Sequence, residues 1–328
     1  MRSFIYKTRK ALWPKLVILC YHRVQNYTSD PVKITVSNNN FLKQIRYLKE
    51  FYKIISPDLF FDSLKNRKKL PNRSILLTFD DGYSSYRQTM KLLKKESIPS
   101  VFFISLRKKK HWWDILSKLL LENQNVKKQD YDKINYLLTG LGAHFKIEKH
   151  IDSISMKALS QWTVTNDNFP FNRNKAFYFL AKKMEGIDHY GKSELLNIVS
   201  SLSNEKRNFS YLLEEKIINY HCIGYHTINH FNLSKLSYDN QIKEIELGKK
   251  KLDSLLRKKV KIFAYPYGSL NHYNDDTLKI VKRNFDFAFS NFEGLVHKDS
   301  NIYELPRFLV RDWDIDSFIV NVKSFFKK

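Results

Sequence analysis

The run Leu76-Leu77-Thr78-Phe79-Asp80-Asp81-Gly82-Tyr83 sets an apolar, β-favouring stretch against two adjacent carboxylates, then a glycine, then a helical pattern over 83–96. A strand that turns straight into a helix is the repeating unit of an α/β fold, and the unit recurs on either side. Strand-like runs stand at Leu16–Tyr21, Ser74–Phe79, 100–105, 220–225, 261–265 and 285–290. Helical patterns lie among them at 40–51, 238–257 and Asp275–Asn284. Within 238–257, Ile242, Ile245, Leu252 and Leu255 or Leu256 fall at near-helical spacing, behind Ser237 as N-cap and Asp239 in the first turn. Strands alternating with helices imply parallel strands joined by crossovers, hence a doubly wound sheet or a barrel. From about 106 to 218 the rhythm gives way to a mainly helical, polar pattern. It reads as an insertion between two strands of a single domain spanning 1–328. No internal repeat interrupts this order.

The 328 residues are 43% hydrophobic and 15% aromatic, which supplies a packed core and excludes wholesale disorder. The length suits one large α/β domain or two ordinary ones. Nine Gly and eight Pro exclude a collagen-like or linker-rich chain, and two Cys exclude a disulfide framework. Against 33 Asp+Glu stand 57 Lys+Arg, a formal net charge of +24. That excess points to an acidic partner: nucleic acid, anionic lipid or a phosphorylated substrate. Basic runs at 65–73, 107–110, 249–251 and 257–261 read as solvated faces or loops that together offer a binding surface. The basic N-terminus ends in a short apolar run, Leu16-Val17-Ile18-Leu19-Cys20, far below the roughly 20 residues of a spanning helix. It also lacks the longer apolar region and small-residue cleavage site of a signal peptide. A buried first strand is expected, in a cytoplasmic protein that rests at most on the inner membrane surface.

In a parallel α/β protein, ligands gather at the carboxyl ends of the strands, where Asp80 and Asp81 stand. Two readings are open: a helix N-cap with a permissive glycine, or two carboxylates turned into one cleft. A second signal, Gly224-Tyr225-His226-Thr227-Ile228-Asn229-His230, again follows an apolar strand. Histidines four apart on one side of a helical turn can reach one metal; incidental histidines are the other reading. Together, Asp81, His226 and His230 offer one oxygen and two nitrogens, a facial set that leaves positions for water and substrate. Asp80 beside them is free to accept a proton from that water. The third signal, Phe263-Ala264-Tyr265-Pro266-Tyr267-Gly268, is either a strand-ending turn or an aromatic groove wall. In the second case Tyr265, Pro266 and Tyr267 meet the apolar face of a sugar. Cys20 and Cys222, beside these motifs, read as small buried hydrophobes ahead of thiol ligands. Trp112 and Trp113 read as core ahead of a sugar-stacking platform, and Arg311-Asp312-Trp313-Asp314 stays ambiguous in the same way.

With these motifs in this order, the chain resembles the polysaccharide deacetylases of the chitooligosaccharide-deacetylase homology type. Thr78-Phe79-Asp80-Asp81-Gly82 matches that family's T-F-D-D-G motif, and His226-Thr227-Ile228-Asn229-His230 its H-[ST]-x-x-H motif. Ala264-Tyr265-Pro266-Tyr267-Gly268 is similar to its R-x-P-Y-G motif. Tyr21-His22-Arg23-Val24 resembles the opening strand of an exopolysaccharide-cluster branch, and Trp112-Trp113-Asp114 resembles that branch's insertion. The likeness spans essentially the whole chain except the middle of the insertion. It implies a deformed (β/α) barrel and metal-dependent hydrolysis of an N-acetyl group on an amino sugar. Asp80 is then the general base, and Asp81, His226 and His230 hold a divalent ion, Zn²⁺ with Co²⁺ or Ni²⁺ as substitutes. A backbone amide near Tyr267 adds a donor to the oxyanion. Two departures stand out. Ala264 replaces the Arg of the third motif, and the late L-x-H that supplies the general acid appears as Leu305-Pro306-Arg307. We therefore expect His22 to protonate the leaving amine and Arg307 to steady the Asp80 carboxylate. The competing reading of His22 is a structural histidine hydrogen-bonded under the site.

The expectation is thus a hydrolase acting on an acylated amino sugar in a surface-glycan or polysaccharide precursor. A lipid- or nucleotide-linked substrate carries phosphates that suit the charge, as does peripheral contact with an anionic membrane. No basic run overlaps the metal-site motifs, so nucleic acid is not the expected partner. The alternative is a catalytically inactive barrel that binds nucleic acid or anionic membrane through those runs.

Overall fold

The computed structural model describes residues 15–185, 195 and 197–328; the basic segment 1–14 lies outside the described residues. Two compact units divide the chain. The first takes the chain up to Gln25, then Ile34–Leu106 and Asn208–Lys328; the second takes Asn26–Lys33 and Arg107–Arg207.

Among its described residues the first unit holds ten strands: β1 Leu16–Tyr21, β2 Arg23–Val24, β3 Thr35–Val36, β4 Lys53–Ile54, β5 Ser74–Phe79, β6 Val101–Ile104, β7 Cys222–Tyr225, β8 Ile262–Ala264, β9 Phe287–Phe289 and β10 Phe308–Leu309. The main sheet runs β10-β1-β5-β6-β7-β8-β9, with β4 beside β5, and every pairing in it is parallel. β2 and β3 form a separate parallel pair. Every residue of β1, β5, β6, β8 and β9 is buried. A strand covered on both faces has no polar side to alternate with, which is why these segments read as near-continuous apolar runs.

The sheet curls until one segment meets both of its edges. Leu305 bridges in parallel to Phe289 of β9, and Phe308 of β10 lies opposite Leu19 of β1. The architecture is the deformed (β/α) barrel expected from the sequence. Side chains alternate between the faces. Leu16, Ile18, Leu76, Val101, Phe103, Ile262, Ala264, Phe287, Phe289 and Leu305 form one apolar cluster. Val17, Leu19, Tyr21, Leu77, Phe79 and Phe102 join the other, with residues of the surrounding helices Asn38–Phe51, Tyr86–Lys95, Asp275–Asn284 and Ile315–Phe325. Continuing the first alternation past the strand ends brings His22, Asp80, His226 and Arg307 onto the same inner face as that first cluster.

Two helices differ from the sequence pattern. The stretch after β5 becomes helical only at Tyr86, because Asp81 and Gly82 still turn with φ of +80° and +71°. The 238–257 pattern is interrupted: α-helical Tyr238–Ile242 and Gly248–Leu256 are joined by a π-helical turn, Lys243–Leu247. The second unit is mainly helical, with Trp112–Leu116, Lys128–Gly140, Met156–Gln161 and Asn172–Glu185. Trp112 and Trp113 are buried in it, Trp113 stacked on His111 at 4.4 Å between ring centroids. No helix among the described residues is long and apolar enough to cross a membrane.

Candidate metal and acid–base site

Register fixes what meets at the carboxyl ends. Tyr21 of β1 lies opposite Phe79 of β5, and the Asp80 amide donates to the Tyr21 carbonyl at 2.9 Å. The next residues on, His22 and the Asp80-Asp81 pair, therefore emerge side by side. Across β6, Ile104 lies opposite Tyr225 of β7, and the His226 amide donates to the Ile104 carbonyl at 3.0 Å. Asp81, Thr227, His230 and Tyr267 all adopt positive φ, between 59° and 80°. Left-handed backbone disfavours residues with a Cβ by roughly 1–3 kcal/mol each. Elsewhere such residues cap helices, as Arg67 and Arg257 do; here four of them occupy the three motifs.

These turns aim three side chains at one point. His226 Nε2 lies 3.5 Å and His230 Nε2 3.2 Å from Asp81 Oδ1, and all three residues are buried. One ligand atom from each lies within 4.8 Å of the other two. His226 donates from Nδ1 to the Ala264 carbonyl at 2.7 Å, which fixes its tautomer and leaves Nε2 with the lone pair. Burial lowers the His230 pKa, with Asp81 pulling the other way, so a neutral, metal-competent imidazole is favoured. One carboxylate oxygen and two imidazole nitrogens suit Zn²⁺ or its neighbours in the first transition row. The donor set fits a divalent ion.

Asp80 faces a different partner. Arg307 forks onto it, Nη1 to Oδ1 at 2.7 Å and Nη2 to Oδ2 at 2.6 Å, both side chains buried. The guanidinium is held in turn by the Ser290 carbonyl at 2.6 Å and Thr78 Oγ1 at 3.2 Å. Burial pushes the Asp80 carboxyl up, but the charge of Arg307 and its hydrogen bonds outweigh it and leave the pKa below the ordinary value. The group is therefore an ionised carboxylate. His22 approaches from β1, one ring nitrogen within 4.8 Å of Cys20 Sγ and an Asp80 oxygen. Its Nδ1 is buried without a hydrogen-bond partner among the described residues. Burial lowers the His22 pKa while Asp81 and Asp80 raise it. Burial pushes the Cys20 thiol well up, so it stays a protonated, packed side chain.

The third motif separates into two roles. Tyr265 is 1% exposed, donates to the Tyr303 carbonyl at 2.8 Å and stacks on Tyr273 at 4.1 Å. Strand alternation turns this side chain into the helix-covered core, so the expected sugar contact by Tyr265 is corrected to a core role. Pro266 is buried at the strand end. Tyr267 is half-buried, its ring 4.9 Å from that of His230. The helical-turn reading of His226 and His230 is also corrected: residues 226–230 form a bend with two left-handed residues, and the rings meet at 4.8 Å by that route.

One residue of the site carried no sequence signal. The buried Glu244 carboxylate accepts from the Ile228 and Asn229 amides at 3.0 and 2.8 Å and from Asn229 Nδ2 at 2.7 Å. It reaches them from the π-helical turn, where the extra residue per turn shifts the helix face. Tyr225 Oη donates to the Glu244 carbonyl at 2.5 Å, and a Cβ on Gly248 would stand 1.6 Å from the Tyr225 hydroxyl. Glu244 thus clamps the bend that carries both histidines. Thr227 Oγ1, accepting from the His230 amide at 3.0 Å, closes it from inside.

Against known proteins, a family model described as polysaccharide deacetylase matches residues 67–164 and 175–284. The matched residues include Asp80, Asp81, His226, His230 and the Tyr265-Pro266-Tyr267 turn; His22 and Arg307 fall outside them. The chain is 25% identical over 340 residues to a poly-beta-1,6-N-acetyl-D-glucosamine N-deacetylase of Staphylococcus aureus, covering 98% of this chain and 86% of that one. Among solved structures, the Streptococcus pyogenes deacetylase PplD in complex with acetate is similar with a TM-score of 0.54 at 18% identity, over 94% of this chain and 98% of that one. The structure of IcaB from Ammonifex degensii is similar with a TM-score of 0.54 at 19% identity, over 96% and 98%. At these identities the structural likeness speaks for the fold.

Proposed function

The chain belongs to the polysaccharide deacetylase family, and on that premise we propose that it hydrolyses the N-acetyl amide of an amino-sugar polymer or its precursor, with Asp81, His226 and His230 holding a divalent ion. The observation that carries this reading is the pairing of a buried Asp-His-His set with an adjacent carboxylate that Arg307 keeps ionised. When bound, a divalent ion supplies Lewis acidity toward the acyl carbonyl and lowers the pKa of water. Asp80, held in one orientation by the two-pronged Arg307 contact, takes the proton of the attacking water. His22, half-buried with a ring nitrogen near Asp80, delivers a proton to the departing amine and regains one from solvent. Tyr267 presents an aromatic face beside His230 to the sugar. A buried ligand set of this kind stands against an inactive basic barrel.

The substrate is proposed as an N-acetylglucosamine chain, supported by the name of the staphylococcal relative. A lipid- or nucleotide-linked precursor at the inner membrane surface is the finer form, supported by the net charge of +24. The test is acetate release from β-1,6-linked N-acetylglucosamine oligomers, and from carrier-linked N-acetyl sugars, with added Zn²⁺, Co²⁺ or Ni²⁺. Release by the wild type and none by Asp80→Asn supports the reading. Equal background from both proteins across the whole panel overturns it.

A further inference from the structure

The amino-terminal ends of the strands carry a second concave feature, away from the site. A cavity of about 260 Å³ opens beside Cys222, Ile262 and Phe287, which stand at the starts of β7, β8 and β9. Lys65, Lys258, Lys259 and Lys261 surround it together with two acids, Asp58 and Asp286. Asp286 is taken by Lys65 at 3.0 Å. Lys258, Lys259 and Lys261 are exposed and have no ion-pair partner among the described residues. Cations at helix carboxyl ends offset the helix dipole, which accounts for Lys94 and Lys95 or Lys282 and Arg283 at their helix ends. It does not account for these three lysines, which lie past the end of Gly248–Leu256 in the connector to β8. Like charges lining one cavity repel, and an anion relieves that repulsion. Behind them the lining turns apolar, with Phe61, Ile223 and buried Phe287. Leu255, 37% exposed, stands three residues before Lys258.

Cationic rim and apolar lining together match an amphiphile. We propose that this end of the unit docks on an anionic phospholipid bilayer, one headgroup phosphate seated among Lys258, Lys259 and Lys261. A cavity of about 260 Å³ accepts one headgroup and the first methylenes of a chain, whereas a polynucleotide asks for a groove that follows several phosphates with stacking aromatics. β7 separates this surface from His226 by four residues, roughly 13 Å of strand. Docking therefore leaves the carboxyl-end site facing the water phase, which favours a polymer or a nucleotide-linked precursor over a lipid-linked one as its substrate. The inference does not depend on the deacetylase reading.

The test is co-sedimentation of the full chain with phosphatidylcholine vesicles, with and without 30% phosphatidylglycerol. Lys258→Glu/Lys261→Glu is compared with Lys43→Glu/Lys323→Glu, an equal charge change at exposed positions elsewhere in the same unit. Each lysine at an anionic surface contributes on the order of fivefold in partitioning, so reversing two is expected to lower binding to anionic vesicles by at least about 25-fold. The control is expected to lose only severalfold. Melting temperature and acetate release from a soluble oligomer stay at wild-type values in both, which separates failure here from failure of the catalytic reading. Equal losses in the two variants, equal binding to neutral vesicles, or retention of a single-stranded oligonucleotide in place of vesicles overturns the proposal.

Discussion

Two histidines bracket β7, His221 just before it and His226 just after, and both are buried. Their hydrogen bonds differ in kind. His221 commits both ring nitrogens to the backbone: Nδ1 accepts from the Ser100 amide at 3.3 Å, and Nε2 donates to the Met90 carbonyl at 3.0 Å. His226 commits only Nδ1, to the Ala264 carbonyl, and turns Nε2 toward Asp81. At the amino end of the strand a buried imidazole ties loops together. At the carboxyl end an equally buried one keeps a nitrogen for another side chain. Burial alone does not separate a structural histidine from a chemical one; the destination of its second nitrogen does.

The sharpest way to break this contrast is to remove each ring in turn. His226→Ala is expected to abolish stoichiometric Zn²⁺ binding, read by metal analysis after dialysis. Acetate release should fall on the order of a thousandfold or more, the several kcal/mol that a Lewis acid supplies. His221→Ala is expected to keep the metal while losing stability. Full metal occupancy in His226→Ala would erase the distinction.

Arg307 tests whether a carboxyl-end group also bears on the fold. Arg307→Leu strands the Asp80 carboxylate in the interior, and the expected loss in urea unfolding is about 3–5 kcal/mol. Adding Asp80→Asn removes the uncompensated charge, so the double variant should lose clearly less than the sum of the two single changes. Additive losses would show that the two groups do not depend on each other. Glu244 gives a smaller effect. In Glu244→Gln an amide NH₂ replaces one of the oxygens that now meet N–H donors, which loosens the 226–230 bend. Chelator competition should show metal affinity weakened by roughly 10–100-fold with little change in melting temperature. An unchanged affinity would make Glu244 a fold residue like His221.

The sequence pattern makes the strands and the two densest motifs legible because both are local. Leu16–Tyr21 and Ser74–Phe79 announce themselves as near-continuous apolar runs, and the motifs that carry Asp80, Asp81, His226 and His230 follow such runs. β4 and β10, two residues each, fall below any periodicity. Tyr265 and Tyr267 look equivalent in sequence, yet two-residue alternation followed by a left-handed turn sends one to the core and the other to the site. Arg307 stands out in the sequence only as a departure from a family motif, since its partner lies 227 residues away. Glu244 was invisible for a further reason. Its position depends on a π-helical turn, which shifts the helix face without leaving a mark in an otherwise regular apolar repeat.

The smallest expected effect belongs to the amino end and concerns pH. Burial lowers the His221 pKa from the ordinary 6.5 to about 4, the backbone bond to Met90 opposing it only in part. The unfolded chain therefore takes up a proton that the folded one refuses. Stability from this group is complete above pH 6.5 and is lost as the pH falls toward 4. Between pH 7.5 and pH 5 the loss comes to about 2 kcal/mol. His22 and His230 shift in the same direction, so the comparison has to be made against a variant that differs only at His221. Asp80, with its pKa below the ordinary value, gives up its contribution only in more acidic solution. His221→Gln keeps an acceptor for the Ser100 amide and a donor for the Met90 carbonyl while removing the titration. Urea midpoints measured at both pH values should fall less for the variant than for the wild type by about that amount. Parallel declines would mean that the ring is protonated in the folded chain, and the two ends of β7 would then differ in geometry but not in the charge they tolerate.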